Sequence, residues 1–156
     1  MSVKHTFKAS VDAVFEYLTD PDFLVQRCED LGDLESSYEV SEDDDYIYVS
    51  GTRVTRTELP GFLAKLFDAQ QHIAIEEQWQ GDSDRMEATY HMKSDGQPAE
   101  VAATIVLEAK GKGCQYTIDH TPTVNLPLIG GKAAKFLLSE TEKVALKELE
   151  YLAEHL

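Results

Sequence analysis

The sequence has few cysteines and no long apolar run. Its two cysteines, Cys28 and Cys114, lie far apart and belong to no CxxC or Cys/His array. Two such thiols are more typical of buried, reduced side chains than of a disulfide framework. No segment reaches the length of a signal peptide's apolar region or of a membrane span. We therefore expect a cytoplasmic protein with no stable membrane insertion.

Basic residues are also scarce. The chain carries 14 Lys and Arg against 29 Asp and Glu, for a formal net charge of -15. Phosphate binding needs clustered cations, so this balance argues against nucleic acid as a partner and against attraction to anionic lipid. With 156 residues, 42% of them hydrophobic, the chain is long enough for one domain, 1–156, with its own core.

Motifs for nucleophilic, metal or phosphate chemistry are missing. There is no GxSxG elbow and no complete P-loop, and neither cysteine has a histidine near it in sequence. The five histidines are isolated, with no HxH, HxxxH or HExxH spacing; they are His5, His72, His91, His120 and His155. We expect no bound metal and no cofactor.

The strongest pattern is a long amphipathic helix that runs from the Pro127 region to the C-terminus. Gly130 and Gly131 lie near its start, and no Gly or Pro follows them. Apolar or small residues recur at three- or four-residue steps, namely Ala134, Leu138, Thr141, Ala145, Leu149, Leu152 and Leu156. Such a helix must lie on an apolar surface.

Most of the preceding chain has the two-residue period of strands. A short strand opens the chain, and Ser10 and Asp20 then cap two short helices, at residues 11–19 and from Pro21 to Gly32. About six strands follow, joined mainly by tight turns. This order predicts an α+β domain in which a curved antiparallel sheet wraps the C-terminal helix.

This order of elements resembles the helix-grip fold of the START-like (SRPBCC) superfamily, which includes the birch-pollen allergen and the polyketide cyclases. Three segments resemble more closely an uncharacterised bacterial family within this superfamily. They are Asp20-Pro21, Pro60-Gly61-Phe62-Leu63 and the Val124–Lys132 segment VNLPLIGGK. The resemblance implies a sheet of about seven strands and a hydrophobic cavity between sheet and helix. It also implies a lipid-like, steroid-like or polyketide-like ligand.

Aromatic, Met and aliphatic residues on the predicted strand faces and early in the long helix are the candidate cavity lining. They are Tyr48, Trp79, Tyr90, Met92, Ile105, Tyr116, Ile118, Phe136 and Leu137. The same residues would also serve as ordinary core. The apolar segment around Phe62, Leu63, Leu66 and Phe67 is the candidate lid.

Two polar residues share strand faces with apolar neighbours. Glu77 lies on the same strand face as Ile75 and Trp79, and His120 lies on the face of Ile118. In a cavity these side chains could act as acid, base or hydrogen-bond anchors; the alternative is that they meet solvent, or that Glu77 pairs with Arg53.

Three functions fit these observations. The first is binding or carriage of a small hydrophobic ligand without catalysis. The second is a cavity enzyme of the cyclase, dehydratase or isomerase type. The third is a protein-interaction module that resembles chaperone regulators, which requires a large exposed apolar patch.

Overall fold

The computed structural model describes residues 2–156, which form one antiparallel sheet and four helices. The strands are β1 Ser2–Phe7, β2 Glu35–Glu42, β3 Ile47–Arg56, β4 Gln70–Gly81, β5 Arg85–Ser94, β6 Ala99–Lys110 and β7 Gly113–Val124. The helices are α1 Val11–Leu18, α2 Pro21–Asp30, α3 Gly61–Ala64 and α4 Gly130–His155.

The seven strands form a single sheet in the order β1-β7-β6-β5-β4-β3-β2. Strands β2 to β7 form an antiparallel meander, and β1 closes the row beside β7. The sheet curves round α4, while α1 and α2 connect its two edges, from β1 to β2. The predicted α+β helix-grip architecture is confirmed.

The two short helices begin where their capping residues predict. Ser10 Oγ accepts a hydrogen bond from the Ala13 amide at 3.2 Å, and Asp20 Oδ1 accepts one from the Asp22 amide at 3.0 Å. Pro21 occupies the first position of α2, where a missing N–H is tolerated. Gly32 follows α2 with a φ of 102°, a conformation that favours glycine.

The long helix differs from its prediction at its N-terminal end. Residues 127–129 form a turn, and α4 begins at Gly130. Ala133 is buried rather than Ala134, and Leu156 is 44% exposed. The predicted apolar side is therefore right at Leu149 and Leu152, wrong at Leu156, and shifted by one residue in the first turn.

A cluster of buried apolar side chains lies where α1 packs against the sheet. Val14, Leu107 and Leu152 are fully buried there, and Phe15 meets the Trp79 ring edge-on at 5.3 Å between centroids.

Cys28 and Cys114 are free thiols with no exposed surface, and burial raises the pKa of both. None of the helices in residues 2–156 is long and apolar enough to cross a membrane.

We predict that Gly113→Ala destabilises the fold at the start of β7, where it lies beside the last residue of β1, Phe7. A Cβ at this position would lie 1.9 Å from the Phe7 carbonyl oxygen, so backbone must move. We expect the free energy of unfolding in urea to fall by roughly 2 kcal/mol.

The matched control is Gly131→Ala in the first turn of α4, where a Cβ meets nothing within 4 Å. We expect that substitution to raise stability by about 0.5 kcal/mol, because alanine loses less entropy in a helix. Equal effects at the two glycines would contradict the packing of β7 against the Phe7 backbone.

Candidate functional site

A cavity of about 560 Å³ lies between the inner face of the sheet and α4. At one end it is lined by Leu18 of α1 and Leu24 of α2. At the other end it is bounded by Leu63 and Phe67, which follow β3, and by the first turns of α4. The walls are mainly aliphatic and aromatic, and the size is within the range of small-molecule sites.

Seven of the nine predicted lining residues lie along this cavity. They are Trp79, Tyr90, Met92, Tyr116, Ile118, Phe136 and Leu137. Ile105 is elsewhere: it is 2% exposed within the core cluster and does not reach the cavity.

The predicted placement of Tyr48 is wrong. Strand β3 turns Val49, Gly51 and Arg53 inward, so Tyr48 faces outward opposite Gln78. The Tyr48 hydroxyl donates a 2.7 Å hydrogen bond to Asp43 Oδ2 in the preceding turn. A strand read one residue out of phase exchanges its two faces, and this is the physical source of the error.

The candidate lid segment contributes to the cavity through two of its four named residues. Leu63, 3% exposed, and Phe67 line the cavity. Phe62 instead lies beneath Lys132 Nζ of α4, 4.2 Å from its ring centre, and Leu66 is 51% exposed. The segment thus touches α4 on one side of the opening. Its movement remains a prediction.

Three polar side chains form one row across the sheet. Glu77 pairs with Tyr90, Tyr90 with Ala103, and Ala103 with His120. Cross-strand partners share a face, so Glu77, Tyr90 and His120 all point to the cavity. The small side chain of Ala103 leaves space between Tyr90 and His120. The sequence predicted the faces of all three residues, but their alignment depends on register.

Glu77 is a desolvated carboxyl group. Burial raises the pKa of Glu77 to about 7, against the smaller opposing effects of a hydrogen bond from Trp79 and the positive charge of Arg27. Trp79 Nε1 donates to Glu77 Oε1 at 2.8 Å. Glu77 does not pair with Arg53, so the alternative of a Glu77–Arg53 ion pair is wrong.

Arg53 instead belongs to a four-residue ion cluster with Arg27, Asp33 and Glu148. Its guanidinium donates to Asp33 Oδ2 at 2.6 Å and to Asp33 Oδ1 and Glu148 Oε2 at 3.2 Å each. Arg27 Nη2 also lies 3.2 Å from Glu148 Oε2. Burial by itself would lower the pKa of both arginines, but the carboxylates outweigh it and raise both. The cluster ties α2 and β3 to α4.

Sequence reasoning missed the role of this cluster. The pattern of α2 places Arg27 on its apolar side with Phe23 and Leu24, but assigns it no partner. Glu148 lies next to Leu149 on the inward side of α4, and a charged residue at such a position indicates a buried ion pair. The sequence does not identify its partner.

Two tyrosines supply free donors to the cavity. Within residues 2–156 the hydroxyls of Tyr90 and Tyr116 have no hydrogen-bond partner, and burial raises the pKa of both, so they stay protonated. His120 is held neutral because burial lowers its pKa, and its ring meets that of Tyr90 edge-on, 6.4 Å between centroids. These groups can orient a ligand, and Glu77 can exchange a proton near neutral pH.

No group of three or more His, Cys, Asp or Glu side chains between residues 2 and 156 is arranged to hold a metal ion.

We predict that Glu148→Gln destabilises the protein by about 3 kcal/mol, because it leaves two buried guanidiniums without their shared carboxylate. Urea unfolding measures the change. Glu150→Gln, exposed two positions further along α4, is the control and should change stability by less than about 0.5 kcal/mol. Similar losses at both positions would contradict the ion cluster.

The raised pKa of Glu77 predicts a pH-dependent stability. Below its ordinary pKa of 4.5 the carboxyl is protonated in both states, and this group does not reduce the stability of the folded protein. Between 4.5 and about 7 the unfolded chain ionises first, so stability falls, by roughly 3 kcal/mol at most.

Glu77→Gln should remove this component. We therefore measure the unfolding free energies of wild type and variant from pH 4 to pH 8. As pH rises, the wild type should become less stable relative to the variant. Glu76→Gln, on the outer face of β4, is the control and should show no such trend. A flat difference for Glu77→Gln would mean that its carboxyl is solvated.

Solved structures with this fold span nearly the whole chain. A protein from Thermus thermophilus has a TM-score of 0.67 and 15% identity, covering 99% of this chain and 94% of its own. A STAR-related lipid transfer protein fragment from Xanthomonas axonopodis has a TM-score of 0.60 and 16% identity, with 97% and 84% covered. Ara h 8.0201 has a TM-score of 0.56 and 14% identity, with 99% and 97% covered.

At these identities the likeness shows the fold alone, which is START-like. No curated protein matches the sequence. One family model matches residues 2–156, from the first described strand to the end of α4. The chain therefore belongs to the family described as "Protein of unknown function (DUF2505)".

Proposed function

We propose that this protein binds and carries a small hydrophobic molecule in the cavity between the sheet and α4. The observation that carries this proposal is the cavity itself, about 560 Å³ with walls of Trp79, Met92, Ile118 and Phe136. Transfer of apolar surface from water to such walls supplies roughly 25 cal/mol per Å². The STAR-related lipid transfer protein with the same fold supports the proposal by analogy.

The position of α3 supports a route into the cavity. Leu63 and Phe67 line the end of the cavity that faces the first turns of α4, and the Phe62 ring contacts Lys132 of α4. A helix of four residues has few internal hydrogen bonds, so local opening costs little. We propose that the segment from Phe62 to Phe67 moves aside when a ligand enters.

A cavity enzyme is the second candidate, and one observation favours it. Glu77, with a pKa of about 7, stands beside Tyr90 on the cavity wall. A carboxyl group poised near neutral pH can remove a proton from carbon, and a protonated tyrosine can donate one to a developing oxyanion. If this is the function, Glu77→Gln should abolish turnover of a candidate substrate and leave its binding largely intact.

Binding can be tested by filling the cavity. Ala145 of α4 lines it, so Ala145→Phe should place a ring in the ligand space. We expect the affinity for Nile red, an uncharged apolar dye, to fall at least about tenfold, which corresponds to 1.4 kcal/mol. A fluorescence titration gives the dissociation constant.

The control is Leu146→Phe, which introduces the same ring at the next position, where the side chain is 43% exposed. Its affinity for the dye should match the wild type within about twofold, and thermal melts should show that both variants fold. Failure of the dye to bind the wild type, or equal binding by both variants, would contradict ligand binding in this cavity.

A further inference from the structure

The pairing of Arg27 is incomplete. Its guanidinium lies on the cavity wall, and the residue is 9% exposed. Its ion pair joins Nη2 to Glu148 Oε2 at 3.2 Å, and the same oxygen also accepts a hydrogen bond from Arg53. Arg27 Nε is buried and has no acceptor among residues 2–156. A buried donor without an acceptor is destabilising, so Arg27 has capacity for a further oxygen ligand.

The neighbouring groups do not fill that capacity. Asp33 gives both of its oxygens to Arg53. Tyr38 and Cys28, which also face Arg27, remain neutral because burial raises the pKa of each. Glu77 makes its hydrogen bond with Trp79 and has no ion pair with Arg27.

Two more donors lie in the same region. The tyrosine hydroxyls of Tyr90 and Tyr116 line the cavity, and the charges of both Arg27 and Glu77 act on them. Arg27 Nε and the two phenol hydroxyls are hydrogen-bond donors without an acceptor among residues 2–156. An ionised carboxylate is a pure acceptor with two oxygens. This donor set therefore favours an anionic oxygen group over an uncharged one.

The cavity continues from this polar region towards α3 between walls that include several apolar side chains. Towards α3, the rows next to Glu77 and Tyr90 are Ile75 with Met92 and then Ile73 with Ser94. Leu63 and Phe67 follow at the opening. A molecule with an acidic group at Arg27 would extend its apolar chain along these residues.

We propose that Arg27 binds the carboxylate of an amphipathic ligand whose apolar chain fills the cavity towards α3. This inference rests on the proposed function, because it specifies the class of molecule that the cavity takes. Tyr90 and Tyr116 donate further hydrogen bonds to the same carboxylate. Charge-assisted hydrogen bonds from an arginine are among the strongest available to a buried ligand.

The first test varies the ligand on the unaltered protein. Lauric acid, methyl laurate and 1-dodecanol share one chain, and only the acid carries a charge. We expect lauric acid to displace Nile red from the wild type at a concentration at least about tenfold lower than either uncharged compound.

The outcomes separate this proposal from the one on which it rests. If all three compounds displace the dye equally well, the cavity binds apolar chains and the carboxylate assignment is overturned. If Nile red does not bind and no compound stabilises the protein against heat, the proposed function itself fails.

The second test removes the positive charge of Arg27 from the protein. Arg27→Gln should reduce the preference for lauric acid over its methyl ester to less than about threefold, and Arg27→Lys should retain part of it. The control, Arg85→Gln, removes an exposed arginine outside the cavity and should keep the full preference. A preference that survives in Arg27→Gln would assign the carboxylate to another residue.

If Arg27→Gln does not fold, the assignment of the carboxylate to Arg27 can be tested on the wild type, through the arginine Nε–H signals in ¹⁵N NMR. The Arg27 signal should shift when lauric acid is added, and stay unchanged with methyl laurate. An unchanged Arg27 signal in protein saturated with lauric acid would overturn the assignment.

Discussion

The cluster of Arg27, Arg53, Asp33 and Glu148 is the interaction on which the arrangement of helix and sheet depends. It joins α2, the loop that follows α2, β3 and α4, which are far apart in sequence. Removing one member leaves an uncompensated charge in a region of low polarity, so the four residues hold their positions together. Glu148 thereby fixes the distance of α4 from the sheet, and the cavity lies between them.

This constraint explains why the interior is not simply filled. At the α1 end, Val14, Leu107 and Leu152 pack without exposed surface, as in an ordinary core. Beyond that core the inner wall carries the ion cluster and the polar row of Glu77, Tyr90 and His120. Polar groups need partners, so this region accommodates a polar atom of a ligand better than close apolar packing does.

Local patterns in the sequence predicted most of the fold. Ser10, Asp20 and Pro21 mark helix starts by short-range hydrogen bonding, and the two-residue period marks the strands. The site was less predictable because it depends on long-range geometry. The phase of β3 decides that Tyr48 faces outward, and the pairing of Arg53 with Glu148 joins residues 95 positions apart, which no local pattern encodes.

The central claim is that the cavity holds an apolar molecule in the cell. Native mass spectrometry of protein purified from its own host, followed by release and identification of any bound compound, tests this most directly. The account predicts a discrete mass above that of the bare chain, from one molecule with a long apolar body and an acidic group. Bare protein alone, in a preparation that also fails to take up an added apolar ligand, would contradict it.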